Sequence, residues 1–264
     1  METPEYQFFP DVSKKPDRAF VLPDYPTIVI FYYCGYSKNP AGVEFLRMPA
    51  NASHTSILQI IQPNIRNRNI EPGSVVFVQQ TAEWTLIPDE LYKPELKRNY
   101  LEIVHELIEK QEVGVDPVTE IQAKLVYSSS PDYLVGEMQN SHVIRYWISA
   151  SVRHNSTKPS VFPAFYCNFG EKFLDMLVLE NGKAKLCNRF YLNSSEETLY
   201  HILNVIKLKG GKPERDKIFL SGRIIKDSPT FQLINRYLAH PEFLKIKAYH
   251  SDEFISWQYF AFLY

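Results

Sequence analysis

Between residues 161 and 221 apolar positions gather into four short runs separated by turns, with one helical stretch before the last. Residues 161–167 and 173–180 read as the first two strands of this half. Asn181-Gly182 predicts a tight hairpin turn, because both residues tolerate positive φ, and residues 184–191 supply a third strand. A helix start follows in Asn193-Ser194-Ser195-Glu196-Glu197, where Ser194 or Asn193 accepts a helix amide and Glu197 reaches back. Leu199, Ile202, Leu203, Val205 and Ile206 continue that helix until Gly210-Gly211, and Ile218-Phe219-Leu220 is a fourth strand.

The first half repeats this order less regularly. Strand-capable pieces at 6–9 and 19–22 are blurred by Pro10, Pro16, Pro23 and Pro26. Strands over 27–33 and 43–48 flank a turn containing Gly35, Pro40 and Gly42. Asn51 or Ser53 caps a helix over 55–62 that Pro63 stops, and 74–79 is a β-branched strand. Strand, strand, helix, strand therefore occurs twice, with Phe31-Tyr32-Tyr33-Cys34-Gly35 placed where Phe165–Gly170 stands in the second copy. Beyond it, 84–87 is a strand and 88–92 a helix start. Residues 95–112 form a helix on the spacing of Leu96, Tyr100, Ile103, Val104, Leu107 and Ile108. Residues 116–118 turn the chain, 124–128 is a strand, 131–138 a short helix, and 142–146 a strand entering a helix. The polar, proline-ended run 153–160 is the linker, giving domains 1–155 and 156–264. A last strand over 246–250 and a Ser251-capped helix to residue 262 close the second domain.

Composition narrows the class. With 264 residues, 45% hydrophobic and 22% charged, the chain is long enough for two domains and is neither disordered nor fibrous. A formal charge of -1 leaves no basic surplus for nucleic acid. Cys34, Cys167 and Cys187 lie far apart without His at ligand spacing, so they are expected as reduced thiols of a cytoplasmic protein. Neither a signal pattern nor a membrane-length apolar run occurs, so no membrane insertion is expected. His105 with Glu109, the basic run Lys207 to Lys217, and Ser128-Ser129-Ser130 carry no site pattern of their own; Asp175 faces either the cleft or the surface.

The segments 165–190, 193–208, 218–222, 75–78 and 84–91 resemble a bacterial domain-of-unknown-function family assigned an actin-like ATPase fold. More distantly, the chain is similar to pilus-assembly and cell-division actin-like proteins. The resemblance implies an α/β protein of two ribonuclease-H-like domains, each a mixed sheet flanked by helices, facing across a cleft. Active members carry phosphate loops of the form strand–Asp–x–Gly–Thr/Ser–strand, in which Gly admits phosphate and Asp serves the cation or the attacking group. Here Asn168-Phe169-Gly170-Glu171 keeps the Gly but has Asn for Asp and Glu for the hydroxyl residue. Tyr33-Cys34-Gly35-Tyr36-Ser37 offers Gly35 and Ser37 without an acid, and the adenosine loop is reduced to Ser221-Gly222-Arg223. The candidate cofactor-binding positions are thus Gly35, Ser37, Asn168, Gly170, Glu171, Ser221 and Gly222. No catalytic or metal residue is assigned and no cofactor is expected, ATP with magnesium being the alternative. The expected role is a non-catalytic module for a protein partner or for self-association; the alternative is an ATP-binding switch or phosphotransferase.

Overall fold

The computed structural model describes residues 6–8, 15–24, 26–35, 40–49, 52–108, 111–129, 138–157 and 162–244. The chain divides into two compact units, Met1–Tyr146 and Trp147–Tyr264.

In the second unit, β10 (Ala164–Phe169), β11 (Phe173–Glu180) and β12 (Lys183–Tyr191) form an antiparallel meander. Asn181 and Gly182 turn the second hairpin with φ of 51° and 75°. Helix α4 (Ser195–Leu208) then returns the chain, so that β13 (Ile218–Gly222) pairs parallel with β10. Ser194 caps α4 through the amide of Glu197, while Glu197 accepts from the amide of Asn193. Helix α5 (Pro229–Tyr237) leads to β14 (Pro241–Phe243), parallel to β13, and the sheet order is β12-β11-β10-β13-β14. Phe165, Cys167, Leu174, Met176, Val178 and Leu220 pack there with Ile202, Val205 and Ile206 of α4.

The first unit follows the same rule from an earlier start. Strands β2 (Arg18–Asp24), β3 (Thr27–Tyr33) and β4 (Gly42–Arg47) make the meander, with β1 (Tyr6–Phe8) added outside β4. After α1 (His54–Asn67), β5 (Val75–Gln79) pairs parallel with β2, and β9 (Gln139–His142) parallel with β5. Strand β2, not β3, is therefore the counterpart of β10. Its prolines hide this in the sequence: Pro23 lies beyond the β5 pairing, which covers Ala19 to Val21, so its missing N–H costs no parallel hydrogen bond.

Other expectations change as well. Helix α1 continues through Pro63, because Ile57, Leu58, Ile61 and Ile65 stay buried on one face. Burying Ile65 in the added turn, about 1.5–3 kcal/mol, offsets much of the roughly 3 kcal/mol of an internal proline. The helix expected over 95–112 is reduced to α2 (Lys97–Glu102), and the turn expected at 116–118 belongs to β7 (Glu112–Val118). With β6 (Trp84–Pro88) and β8 (Ala123–Ser129), β7 forms a small sheet of order β6-β8-β7 inserted between β5 and β9. Pro117 is accommodated because β7 is an edge strand. The expected linker at 153–160 is helical as far as Thr157, in α3 (Val143–Thr157), with Trp147, Ala150, Ser151 and His154 buried at helical spacing. The helix expected at 131–138 lies outside the described residues except Met138; the tail elements from 246 lie wholly outside them. Among the described residues no helix is long and apolar enough to cross a membrane.

Candidate functional site

Five of the seven candidate positions come together in the second unit. Parallel pairing of β10 with β13 sets Asn168 beside Ser221 and Phe169 beside Gly222. Gly170 and Glu171 continue from β10 into the turn before β11, whose Gly170 amide donates to the Phe173 carbonyl at 2.9 Å. The site is the end of two adjacent strands and the loops that leave them.

Each glycine there has a packing reason. At Gly222 φ is +82°, and a Cβ would collide with the backbone of Phe169, whose carbonyl accepts from the Arg223 amide at 2.6 Å. At Gly170 a Cβ would run into the Phe173 ring. That ring is in turn covered by the Arg189 guanidinium, 3.8 Å from its centroid.

The polar groups close on one another. Asn168 donates its amide to Asp175 Oδ2 at 3.3 Å, and its Oδ1 lies 3.4 Å from the Ser221 hydroxyl. Ser221 also faces the Cys167 carbonyl at 3.2 Å and accepts from the Trp147 indole at 3.2 Å. Asp175, fully buried, receives Arg189 through Nε at 2.6 Å and through the second fork nitrogen at 3.0 Å. Burial raises the Asp175 pKa above the usual carboxylate range, against the lowering effects of Arg189 and Asn168. Burial likewise pushes the Cys187 thiol up, so it is held as a thiol. Glu171 alone presents an open carboxylate, 4.0 Å from Arg223 Nη1. Chemically, the Asn168 amide cannot act as a base, and both oxygens of the neighbouring acid already have donors.

Arg189, Phe173 and Trp147 belong to this constellation although the sequence does not mark them. The Asn181-Gly182 turn would, by regular alternation, set Asp175 opposite Asn188. A bulge after Val178 adds Lys185 to β12, and the pairing shifts so that Asp175 meets Arg189.

The first unit carries the remaining positions. Gly35, with φ of +55°, follows β3, so its counterpart is the Asn181-Gly182 turn rather than Gly170. The turn equivalent to the phosphate loop runs from Asp24 to Thr27 and has Pro26 where the loop wants glycine. Ser37 lies outside the described residues. A second buried acid sits where the small sheet joins β9: Asp116 Oδ2 accepts from the Ser141 hydroxyl and the His142 amide, each at 2.7 Å. His142 Nδ1 accepts from the Ile144 amide at the start of α3, which fixes the ring proton on Nε2, 3.2 Å from the Thr81 carbonyl. These groups cap and join elements. Among the described residues no three His, Cys, Asp or Glu side chains are grouped to hold a metal ion.

The sequence matches the DUF3822 family, described as protein of unknown function, over residues 31–240, and the chain belongs to that family. No curated protein matches it. Among solved structures, one from Bacteroides thetaiotaomicron, described as a protein with actin-like ATPase fold and unknown function, superposes with a TM-score of 0.72. It is 15% identical, and the match covers 89% of this chain and 93% of that one. The PilM-PilN type IV pilus biogenesis complex contains a chain that matches at a TM-score of 0.65 and 12% identity, covering 94% and 97%. At these identities the likeness shows the fold, and the fold is that of the actin-like ATPases.

Proposed function

We propose that this DUF3822 protein is a non-catalytic member of the actin-like fold that works by binding a protein partner. The observation that carries this reading is the closed network of Asn168, Asp175, Arg189 and Ser221, with the Phe173 ring against Gly170. Where phosphate chemistry wants a free carboxylate and open glycine amides, the side chains satisfy one another. Magnesium-ATP fits these residues poorly: the one buried carboxylate already has a guanidinium counter-ion, and Glu171 would face the phosphates with its charge unmatched except by Arg223. A structural neighbour found in the PilM-PilN complex supports protein binding as a use of this fold. The proposal includes a cytoplasmic location, supported by three cysteines that form no disulfide.

The alternative, an ATP-binding switch, is favoured by the exposed Glu171 beside Arg223 at the mouth of the turn. Phosphate release from magnesium-ATP decides between them. The proposal expects no release above buffer; turnover that disappears in Glu171→Ala would replace it with the switch.

A further inference from the structure

The sheet of the second unit ends on an open strand. β12 is nine residues long and lies outside β11 in the order β12-β11-β10-β13-β14, with no strand beyond it among the described residues. The Leu192 amide donates to the Lys172 carbonyl at 2.9 Å. In an antiparallel ladder this alternates, so Leu186, Asn188 and Phe190 bond to β11 while Cys187 and Tyr191 turn N–H and C=O outward. The bulge at Lys185 is the kind of irregularity that blunts an edge, but the register from Leu186 to Tyr191 is unbroken.

The equivalent edge of the first unit is filled. Because β2 is the counterpart of β10, β4 is the counterpart of β12. Strand β1, which precedes the repeated elements, pairs antiparallel with β4 over Tyr6–Phe8. In one copy of this architecture the outer edge is thus completed by an extended segment from outside the repeat, and strand addition is the matching use of the other.

The side chains beside β12 set the chemistry of that segment. Leu186 and Phe190, four residues apart, both lie on the face that carries α4. Val178, the partner of Leu186, lines a cavity of about 140 Å³ together with Pro163, Glu180, Lys185 and Lys209. Glu180, 3.7 Å from Lys185, matches one of the two ammonium groups, and the exposed Lys183 adds to the positive excess. At the other end the Phe190 ring stacks on His201 at 4.6 Å and Tyr200 meets His201 edge-on. Tyr191 and Tyr200 there are 56% and 63% exposed. An added strand sets side chains four residues apart on this face, an acidic one by Lys185 and Lys209 and an apolar one over Phe190 and His201.

We propose that the outer edge of β12 binds an extended acidic segment of a protein partner by strand addition, with an acidic and an apolar residue four positions apart. This rests on the protein-binding reading above and gives it a surface and a partner chemistry. Backbone bonds to Cys187 and Tyr191 supply the pairing, and the cavity and the aromatic stack supply selectivity.

Selection of a display library of random dodecapeptides on the full chain tests this, followed by fluorescence anisotropy and hydrogen exchange with a selected peptide. The selected peptides are expected to share an acidic residue four positions from an apolar one. Tyr191→Pro removes an outward amide and no ladder bond, and should weaken binding at least about fivefold. Lys185→Glu combined with Lys209→Glu, a change confined to side chains at the surface, should weaken it more than about tenfold. The Tyr191 amide should exchange freely in the protein alone and at least about tenfold more slowly with peptide bound. Failure to select any peptide, or peptides bound alike by the wild type and both variants, overturns the proposal. An edge already protected in the protein alone is filled from within the chain, and self-association lost in Tyr191→Pro assigns it to a second copy; either result overturns it as well. Peptides that bind elsewhere leave the protein-binding reading standing, since that reading falls to nucleotide turnover, which these measurements do not follow.

Discussion

Replacing Arg189 by Leu removes the only cation hydrogen-bonded to a carboxylate that has no access to water. Asp175 is fully buried and the Arg189 side chain is 7% exposed, so solvent screens little of their interaction. Breaking such a pair from one side costs about 3–5 kcal/mol, because the remaining charge keeps its desolvation penalty without its partner. Loss of the guanidinium over the Phe173 ring adds up to roughly 1 kcal/mol. Replacing both residues, as Asp175→Asn with Arg189→Leu, keeps an acceptor for Asn168 and leaves no charge, so most of the loss should be recovered. The pH dependence has a definite sign. The folded pKa of Asp175 lies above its unfolded value, so its contribution is full below the ordinary carboxylate range and declines as pH rises through the folded value. Arg189 opposes that rise, so without it the folded value moves higher still. The Arg189→Leu penalty should therefore be larger near pH 7 than near pH 5. Urea unfolding of the wild type and both variants at the two pH values measures this. A penalty under about 1 kcal/mol at neutral pH, or a double variant no more stable than the single one, refutes the reasoning.

Two backbone tests follow. Gly222→Ala meets both a positive φ and the Phe169 backbone, whereas Gly182→Ala meets a positive φ with open space around it. Chemical denaturation should show about 1–2 kcal/mol lost at Gly182 and clearly more at Gly222; equal losses would remove the close approach of β10 and β13 from the account. Ser194→Ala takes away the cap that receives the Glu197 amide and should cost about 1 kcal/mol by the same measurement.

From Ala164 to Gly222 the second unit was legible because local chemistry announces each element there, whereas α5 and β14 beyond it were not read. Asn181-Gly182 sets one turn, Ser194 starts one helix, and branched residues fill the strands between. In the first unit the same signals misled. Prolines at the ends of Arg18–Asp24 disguised its opening strand, which shifted the comparison of the two halves by one strand and set Gly35 against Gly170. The periodic spacing from Leu96 to Ile108 predicted a long helix, yet α2 ends at Glu102 and Ile103, Val104 and Ile108 remain exposed. A helical period reports which residues share a face, not whether a core covers that face. In the candidate site, the missing Asp at residue 168 was readable, but its replacement by a buried pair was not. Arg189 reaches Asp175 only because Lys185 bulges out of the ladder, and a pairing shift of one residue has no signature in composition or period.

The claim that this actin-like fold no longer serves nucleotide is tested most directly by melting the wild-type protein with and without magnesium-ATP. At 1 mM ligand, a site with a dissociation constant near 10 µM would stabilise the folded state by about 2.7 kcal/mol, raising the midpoint by roughly 5–10 °C. The closed network of Asn168, Asp175, Arg189 and Ser221 predicts a shift within about 1 °C of zero, the same with or without magnesium. A magnesium-dependent rise of about 5 °C or more would contradict it.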